Sequence, residues 1–156
     1  THNLHHEVEL VCAIGAGGAD ITVSNAQEYI FGYAVGVDLT RRDLQQSMKE
    51  KGRPWEIGKC FAHAAPIAEL KPASDVGHPR EGEISLSVNG EVRQNGDLRD
   101  MIWSVDEVIA ELSTYYKLEA GDLIFTGTPA GVAPVVKGDE VRCSVARLEP
   151  LQFVIS

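Results

Sequence analysis

A chain of 156 residues that is 44% hydrophobic and 24% charged has the length and composition to bury a core as one globular domain, and nothing in it reads as disordered. Its formal charge of −9 disfavours nucleic acid or an anionic membrane as the main partner, because both select a basic surface. Three cysteines, Cys12, Cys60 and Cys143, are odd in number and lack a metal-type spacing, so a reduced, cytoplasmic setting is expected; no apolar run reaches spanning length, and neither a membrane span nor a signal peptide is expected.

The first element already suggests chemistry. His5-His6-Glu7-Val8-Glu9-Leu10 opens an apolar run, and as a strand it sets Glu7 and Glu9 on one face and Val8, Leu10, Cys12 and Ile14 on the other. Paired carboxylates repel unless a proton or cation neutralises them, and hard oxygen donors select Mg2+, Mn2+ or Ca2+ over Zn2+. Two acids at this spacing are more often a solvated strand edge, so a third ligand decides.

Gly15-Ala16-Gly17-Gly18-Ala19-Asp20 reads as a hairpin or loop tip; the third glycine of a nucleotide fingerprint is missing, and Asp20-Ile21-Thr22-Val23 reads as further strand. From Ile30 to Leu39 large and small residues alternate, with Phe31, Tyr33, Val35, Val37 and Leu39 against Gly32, Ala34, Gly36 and Asp38. A face stripped of bulk admits a ligand or another backbone, and tight sheet packing explains it equally well. Asp38, closing that face, is the third candidate ligand.

Thr40-Arg41-Arg42-Asp43 has the form of a capping box opening a helix from about Arg41 to Lys51, stopped at Gly52. On it Arg42 and Gln45 share a face and can aim a guanidinium and an amide at whatever Asp38 holds, although a solvated face is the ordinary alternative. Pro54 prevents further helix, and Lys59 is placed by default at the surface. Lys71 to Gly82 reads as a loop with a surface His78.

Ile84 to Val92 is the clearest local feature, a hairpin turning at Asn89-Gly90, and Asn95-Gly96 suggests a second turn. Ser104-Val105-Asp106-Glu107 is another capping box, starting a packing helix to about Tyr115. Gly127-Thr128-Pro129-Ala130-Gly131-Val132 is a small-residue loop that offers backbone amides and a hydroxyl to a ligand, or is a plain turn. Val135 to Ile155 closes with two short strands across Lys137-Gly138-Asp139.

In order, His6-Glu7-Val8-Glu9-Leu10, Gly32-Tyr33 through Asp38-Leu39-Thr40-Arg41-Arg42-Asp43-Leu44-Gln45, Gly52-Arg53-Pro54-Trp55 with Gly58-Lys59, and Gly121-Asp122 through Gly127-Thr128-Pro129-Ala130-Gly131 resemble the fumarylacetoacetate hydrolase family. The resemblance covers nearly the whole chain and is strongest to its small bacterial acylpyruvate hydrolases. It implies an α+β, β-rich fold, a mixed β-roll with a few short helices, spanning 1–156 as one catalytic domain and usually homodimeric.

The resemblance also implies a divalent cation, Mg2+ or else Mn2+ or Ca2+, held by Glu7, Glu9 and Asp38. Lys59 and Arg42 become the catalytic cations, and Gln45, Thr128 and Gly127 contact substrate. The implied reaction cleaves the carbon–carbon bond of an acylpyruvate, a small 2,4-dioxo acid, with fumarylpyruvate giving fumarate and pyruvate in aromatic catabolism by the gentisate pathway. Oxaloacetate decarboxylation or dienoate isomerisation at the same site, or a non-catalytic metal-binding subunit, are the alternatives. In the family a His-Glu pair in a lid before the first metal strand is the general base. No such segment lies between Thr1 and the motif, so the base is expected in an omitted region upstream. His6 should face away from the glutamates, and His5, on their side, is not in a lid.

Overall fold

The computed structural model describes residues 1–156, a β-rich chain of eleven strands and four short α-helices. The strands are β1 (Leu4–His5), β2 (Val8–Ile14), β3 (Ile30–Val37), β4 (Thr40–Arg41), β5 (Lys71–Pro72), β6 (Glu83–Val88), β7 (Glu91–Asp97), β8 (Leu123–Phe125), β9 (Pro134–Val135), β10 (Glu140–Val145) and β11 (Leu151–Val154). The helices are α1 (Arg42–Glu50), α2 (Glu56–Lys59), α3 (Ala73–Val76) and α4 (Val105–Tyr115). Three sheets result, ordered β4-β1-β9, β11-β10-β6-β7 and β5-β3-β2-β8.

Every residue of β2 is buried, which suits a central strand written almost wholly in apolar residues. Its even-numbered side chains, Val8, Leu10, Cys12 and Ile14, join Tyr33, Val35 and Val37 of β3 in one core with Ile84, Leu86 and Val88 of β6 and Val141, Cys143 and Val145 of β10. The core therefore lies between two four-stranded sheets, and the alternation expected of β2 holds. Cys12 and Cys143 are buried free thiols, and Cys60 is exposed.

The β2–β3 ladder pairs Ala13 with Gly32 and Ile14 with Ile30, leaving Phe31 as the extra residue of a bulge. Ile30 consequently turns into the core while Phe31 is 49% exposed, which corrects its expected place beside Tyr33. A Cβ on Gly32 would stand 2.0 Å from the Lys71 carbonyl oxygen of β5, and one on Gly36 2.5 Å from Val11 Cγ2. Close packing thus explains both glycines. Asp38, one residue beyond β3, is the exception on that face.

The helix expected over 41–51 is α1, and its end is marked by Gly52 at φ +60, whose amide bonds Lys49 O. Its capping box does not form. Thr40 is instead pinned extended by pairing with His5 across β1–β4, fully buried, and its hydroxyl turns to the site described below. Asp43 bonds the amides of Leu44 and His2 and the Thr1 hydroxyl.

The second box does form: Ser104 Oγ accepts from Glu107 N at 3.3 Å, and Glu107 Oε2 accepts from Ser104 N at 2.7 Å. Asn89 and Gly90, at φ +53 and +82, make the tight β6–β7 turn. Asn95-Gly96 makes none, because both residues stay paired within β7, opposite Ser85 and Ile84. The strand expected over Asp20-Ile21-Thr22-Val23 does not form: β2 ends at Ile14, residues 20–22 are irregular, and Val23–Tyr29 is a 3-10 helix. The expected loop from Lys71 to Gly82 contains β5 and α3, and the C-terminal segment holds three strands, since Val135 pairs with Leu4 of β1. No helix is long and apolar enough to cross a membrane.

Candidate metal centre

The register of two strands brings the acids together. Val8 pairs with Val37 and Glu9 with Gly36, so one step further Asp38 N donates to Glu7 O at 2.9 Å and Asp38 stands across from Glu7. Gly36, opposite Glu9, contributes no side chain. Carboxylate oxygens of Glu7, Glu9 and Asp38 lie within 4.8 Å of one another, and Glu7 and Glu9 are only 8% and 4% exposed.

Three acids so placed need compensation, and two cations reach them. Lys59 Nζ lies 2.8 Å from Glu7 Oε2, 2.5 Å from Asp38 Oδ2 and 2.8 Å from Thr40 Oγ1, which occupies all three of its donors. Arg42 Nη2 lies 2.5 Å from Glu7 Oε1, and Arg42 Nη1 bonds Gln45 Oε1 at 2.6 Å. Lys59 arrives there because α2 presses on α1 at Gly58, where a Cβ would stand 3.0 Å from Gln45 Cβ and N. The surface placement expected of Lys59 from its neighbours in sequence is therefore corrected.

Glu9 has no such partner. Its Oε2 accepts only the Gly127 amide, at 2.7 Å. Burial pushes its carboxyl up to about 7, and the charges of Asp38 and Glu7 push the same way. Burial also raises Asp38, outweighing the pull of Lys59, whereas Lys59 itself rises because its carboxylate partners outweigh burial. An all-oxygen donor set with one buried, uncompensated carboxylate fits a hard divalent cation such as Mg2+ or Mn2+.

After β8, which pairs with β2, the chain passes through Thr126, bonded to Leu10 O, into the loop at Gly127, whose φ of +100 favours glycine. Thr128 Oγ1 accepts from Gln94 Nε2 at 2.8 Å. Residues Thr126 to Ala130 also wall a cavity of roughly 750 Å³ together with Leu10, Met101 and Trp103.

The family model "Fumarylacetoacetate (FAA) hydrolase C-terminal" matches residues 1–156. The chain belongs to the fumarylacetoacetate hydrolase family. It is 48% identical over 155 residues to the fumarylpyruvate hydrolase of Ralstonia sp, covering 99% of this chain and 80% of that protein. It is 45% identical over 140 residues to an oxaloacetate tautomerase of Escherichia coli (strain K12), covering 89% of this chain and 64% of the relative. Among solved structures, fumarylpyruvate hydrolase from Pseudomonas aeruginosa in complex with Mn2+ and pyruvate superposes with a TM-score of 0.98 at 53% identity, over 99% of this chain and 66% of that one.

Within this member of the fumarylacetoacetate hydrolase family, Glu7, Glu9, Asp38, Lys59, Arg42 and Gln45 form one contiguous cluster, and Gly127 joins it through Glu9. Thr128, next to Gly127 in the chain, makes no side-chain hydrogen bond to any of them; its hydroxyl bonds Gln94. His6 bonds Gln94 and no carboxylate, while His5 Nε2 bonds Asn3 Oδ1. His78, expected free at the surface, is half-buried against the Tyr33 hydroxyl at 2.8 Å. Two residues at the site escaped the sequence reading: Thr40, whose hydroxyl looked like a helix cap, and Gln94, an unremarked polar residue in the polar run after the hairpin turn.

Proposed function

We propose that this chain is the metal-binding catalytic body of an acylpyruvate hydrolase whose substrate is fumarylpyruvate, cleaved with one water to fumarate and pyruvate. The observation that carries the reading is the Glu7–Glu9–Asp38 cluster, compensated by Lys59 and Arg42 on one side and uncompensated at Glu9. The similarity to fumarylpyruvate hydrolases, one solved with Mn2+ and pyruvate, supports a 2-oxo acid as the group bound there.

A divalent cation held by Glu7, Glu9 and Asp38 supplies Lewis-acid polarisation of the 2-oxo acid oxygens. Lys59 Nζ adds a fixed positive charge beside the oxygen on which the leaving pyruvate enolate develops its charge. Arg42, braced by Gln45, holds Glu7 in place and offers its remaining N–H groups to substrate oxygens. The Thr128 hydroxyl, which accepts from Gln94, keeps its proton for the substrate carboxylate. Attack of water on the acyl carbonyl needs a general base, and Lys59 Nζ, with all three donors engaged by Glu7, Asp38 and Thr40, is placed as a cation rather than as that base.

The similarity to oxaloacetate tautomerase at 45% identity favours a second reading, enol–keto exchange of oxaloacetate at the same cluster. Turnover of fumarylpyruvate in ¹⁸O-water separates the two. Hydrolysis places one label in the fumarate carboxylate; unlabelled fumarate, or oxaloacetate exchange alone, contradicts the hydrolase.

A further inference from the structure

Gln94 is the one buried residue of β7, fully excluded from solvent, and it stands in a different sheet from the strand that carries Glu9. Its carboxamide nevertheless spans to that strand and to the loop beyond β8. Oε1 accepts from Val8 N at 3.1 Å and lies 2.8 Å from His6 Nδ1. Nε2 donates to Pro129 O and to Thr128 Oγ1, both at 2.8 Å. An amide nitrogen only donates and a carbonyl oxygen only accepts, so Val8 and Pro129 fix which end of the carboxamide is which. Two consequences follow: His6 Nδ1 carries a proton, and Thr128 Oγ1 must receive an N–H.

A hydroxyl that receives from its neighbour sends its own proton elsewhere. Thr128 makes no other side-chain bond within the chain and is only half-buried, so that proton is available to a ligand. Independent contacts hold the loop against β7 on both sides of Gln94. A Cβ on Gly131, itself at φ +100, would stand 2.3 Å from Arg93 O, and one on Gly96 would stand 2.9 Å from Pro129 Cβ.

We propose that Gln94 is a positioning residue for substrate: it makes the Thr128 hydroxyl a donor toward a carboxylate oxygen and locks the loop to the strand that bears Glu9 and follows directly on Glu7. The inference deepens the reading of this site as one for 2-oxo acids and rests on it. A site so wired prefers an acceptor, such as a carboxylate, over a ligand hydroxyl or amine at that position.

The test is the affinity of the Mn2+-saturated full chain for pyruvate, measured by calorimetry rather than by turnover. Gln94→Met removes both donors, and Gln94→Glu keeps the acceptor for Val8 and His6 while drawing the Thr128 proton inward. Each is expected to weaken pyruvate binding about tenfold, the loss of one hydrogen bond to a charged group. Adding Thr128→Val to either is expected to weaken binding no further than Thr128→Val alone, because both changes delete one interaction. Mn2+ binding persists in all variants, and thermal unfolding reads any packing cost separately. If Gln94→Met does not fold, the cycle with Gln94→Glu stands by itself.

Unchanged pyruvate affinity, or losses that multiply in the double variants, would overturn the proposal. A wild-type chain that binds Mn2+ and pyruvate but leaves fumarylpyruvate intact contradicts the proposed substrate alone. A wild-type chain that binds no pyruvate contradicts both.

Discussion

Lys59 Nζ lies 2.5 Å from Asp38 Oδ2, so the cation assigned to catalysis is also the counter-ion of a candidate metal ligand. Lys59→Met should therefore act in opposite directions on two measurements. Turnover should fall, whereas metal affinity should hold or rise, because a competing positive charge has left the carboxylates. Metal-free stability should drop by about 1–3 kcal/mol, as expected when part-buried carboxylates lose a hydrogen-bonding partner, with saturating metal restoring it. Weaker metal binding in thermal-shift titrations would contradict this arrangement.

Asp38→Ala removes a candidate ligand placed only by strand register. The protein should stay folded, with metal-free unfolding at or above the wild-type temperature because one of three crowded charges is gone. Metal binding and activity should both be lost. Retained activity would contradict the three-carboxylate site.

The raised carboxyl of Glu9 sets a pH dependence whose sign is fixed. Between its ordinary 4.5 and about 7 the folded, metal-free chain holds a proton that the unfolded chain has released. Metal-free stability should therefore decline as pH rises through that window and level off above it. Metal binding runs the other way, since it needs Glu9 ionised. Below about 7 each bound ion should expel close to one proton, and affinity should climb with pH until Glu9 is ionised. Calorimetry in buffers of different ionisation enthalpy reads that proton directly, and Glu9→Gln should abolish it.

Gly32→Ala and Gly36→Ala test the packing of the small face. The added Cβ at 32 meets the β5 backbone at Lys71 and Pro72, whereas at 36 it meets only side chains, those of Val11, Phe125 and Ile67, which shift at lower cost than a paired backbone. Gly36→Ala should cost about 1–3 kcal/mol and Gly32→Ala more. Denaturant unfolding checks the order.

What could be read from the sequence was whatever local periodicity or local chemistry encodes. The alternation of β2, the Asn89-Gly90 turn, the Ser104 capping box and α1 all emerged in place, because each is decided within a few residues. The carboxylate triad was legible because Glu7 and Glu9, two residues apart at the start of β2, project to one side and Asp38 follows a face cleared of bulk. Thr40 misled because strand pairing with His5, a long-range event, overrode a sound local cap signal. The bulge that exposes Phe31 depends on the partner strand. Lys59 and Gln94 take their roles from contacts across α1–α2 and between sheets, which no spacing along the chain reveals.

The most direct measurement is the rate at which the full-length protein consumes fumarylpyruvate with Mg2+ or Mn2+ and again with a chelator, beside oxaloacetate. Fast loss of fumarylpyruvate that stops with the chelator and yields equal fumarate and pyruvate is the predicted result. Undiminished turnover in chelator, or no turnover of fumarylpyruvate while metal is bound, would contradict the account.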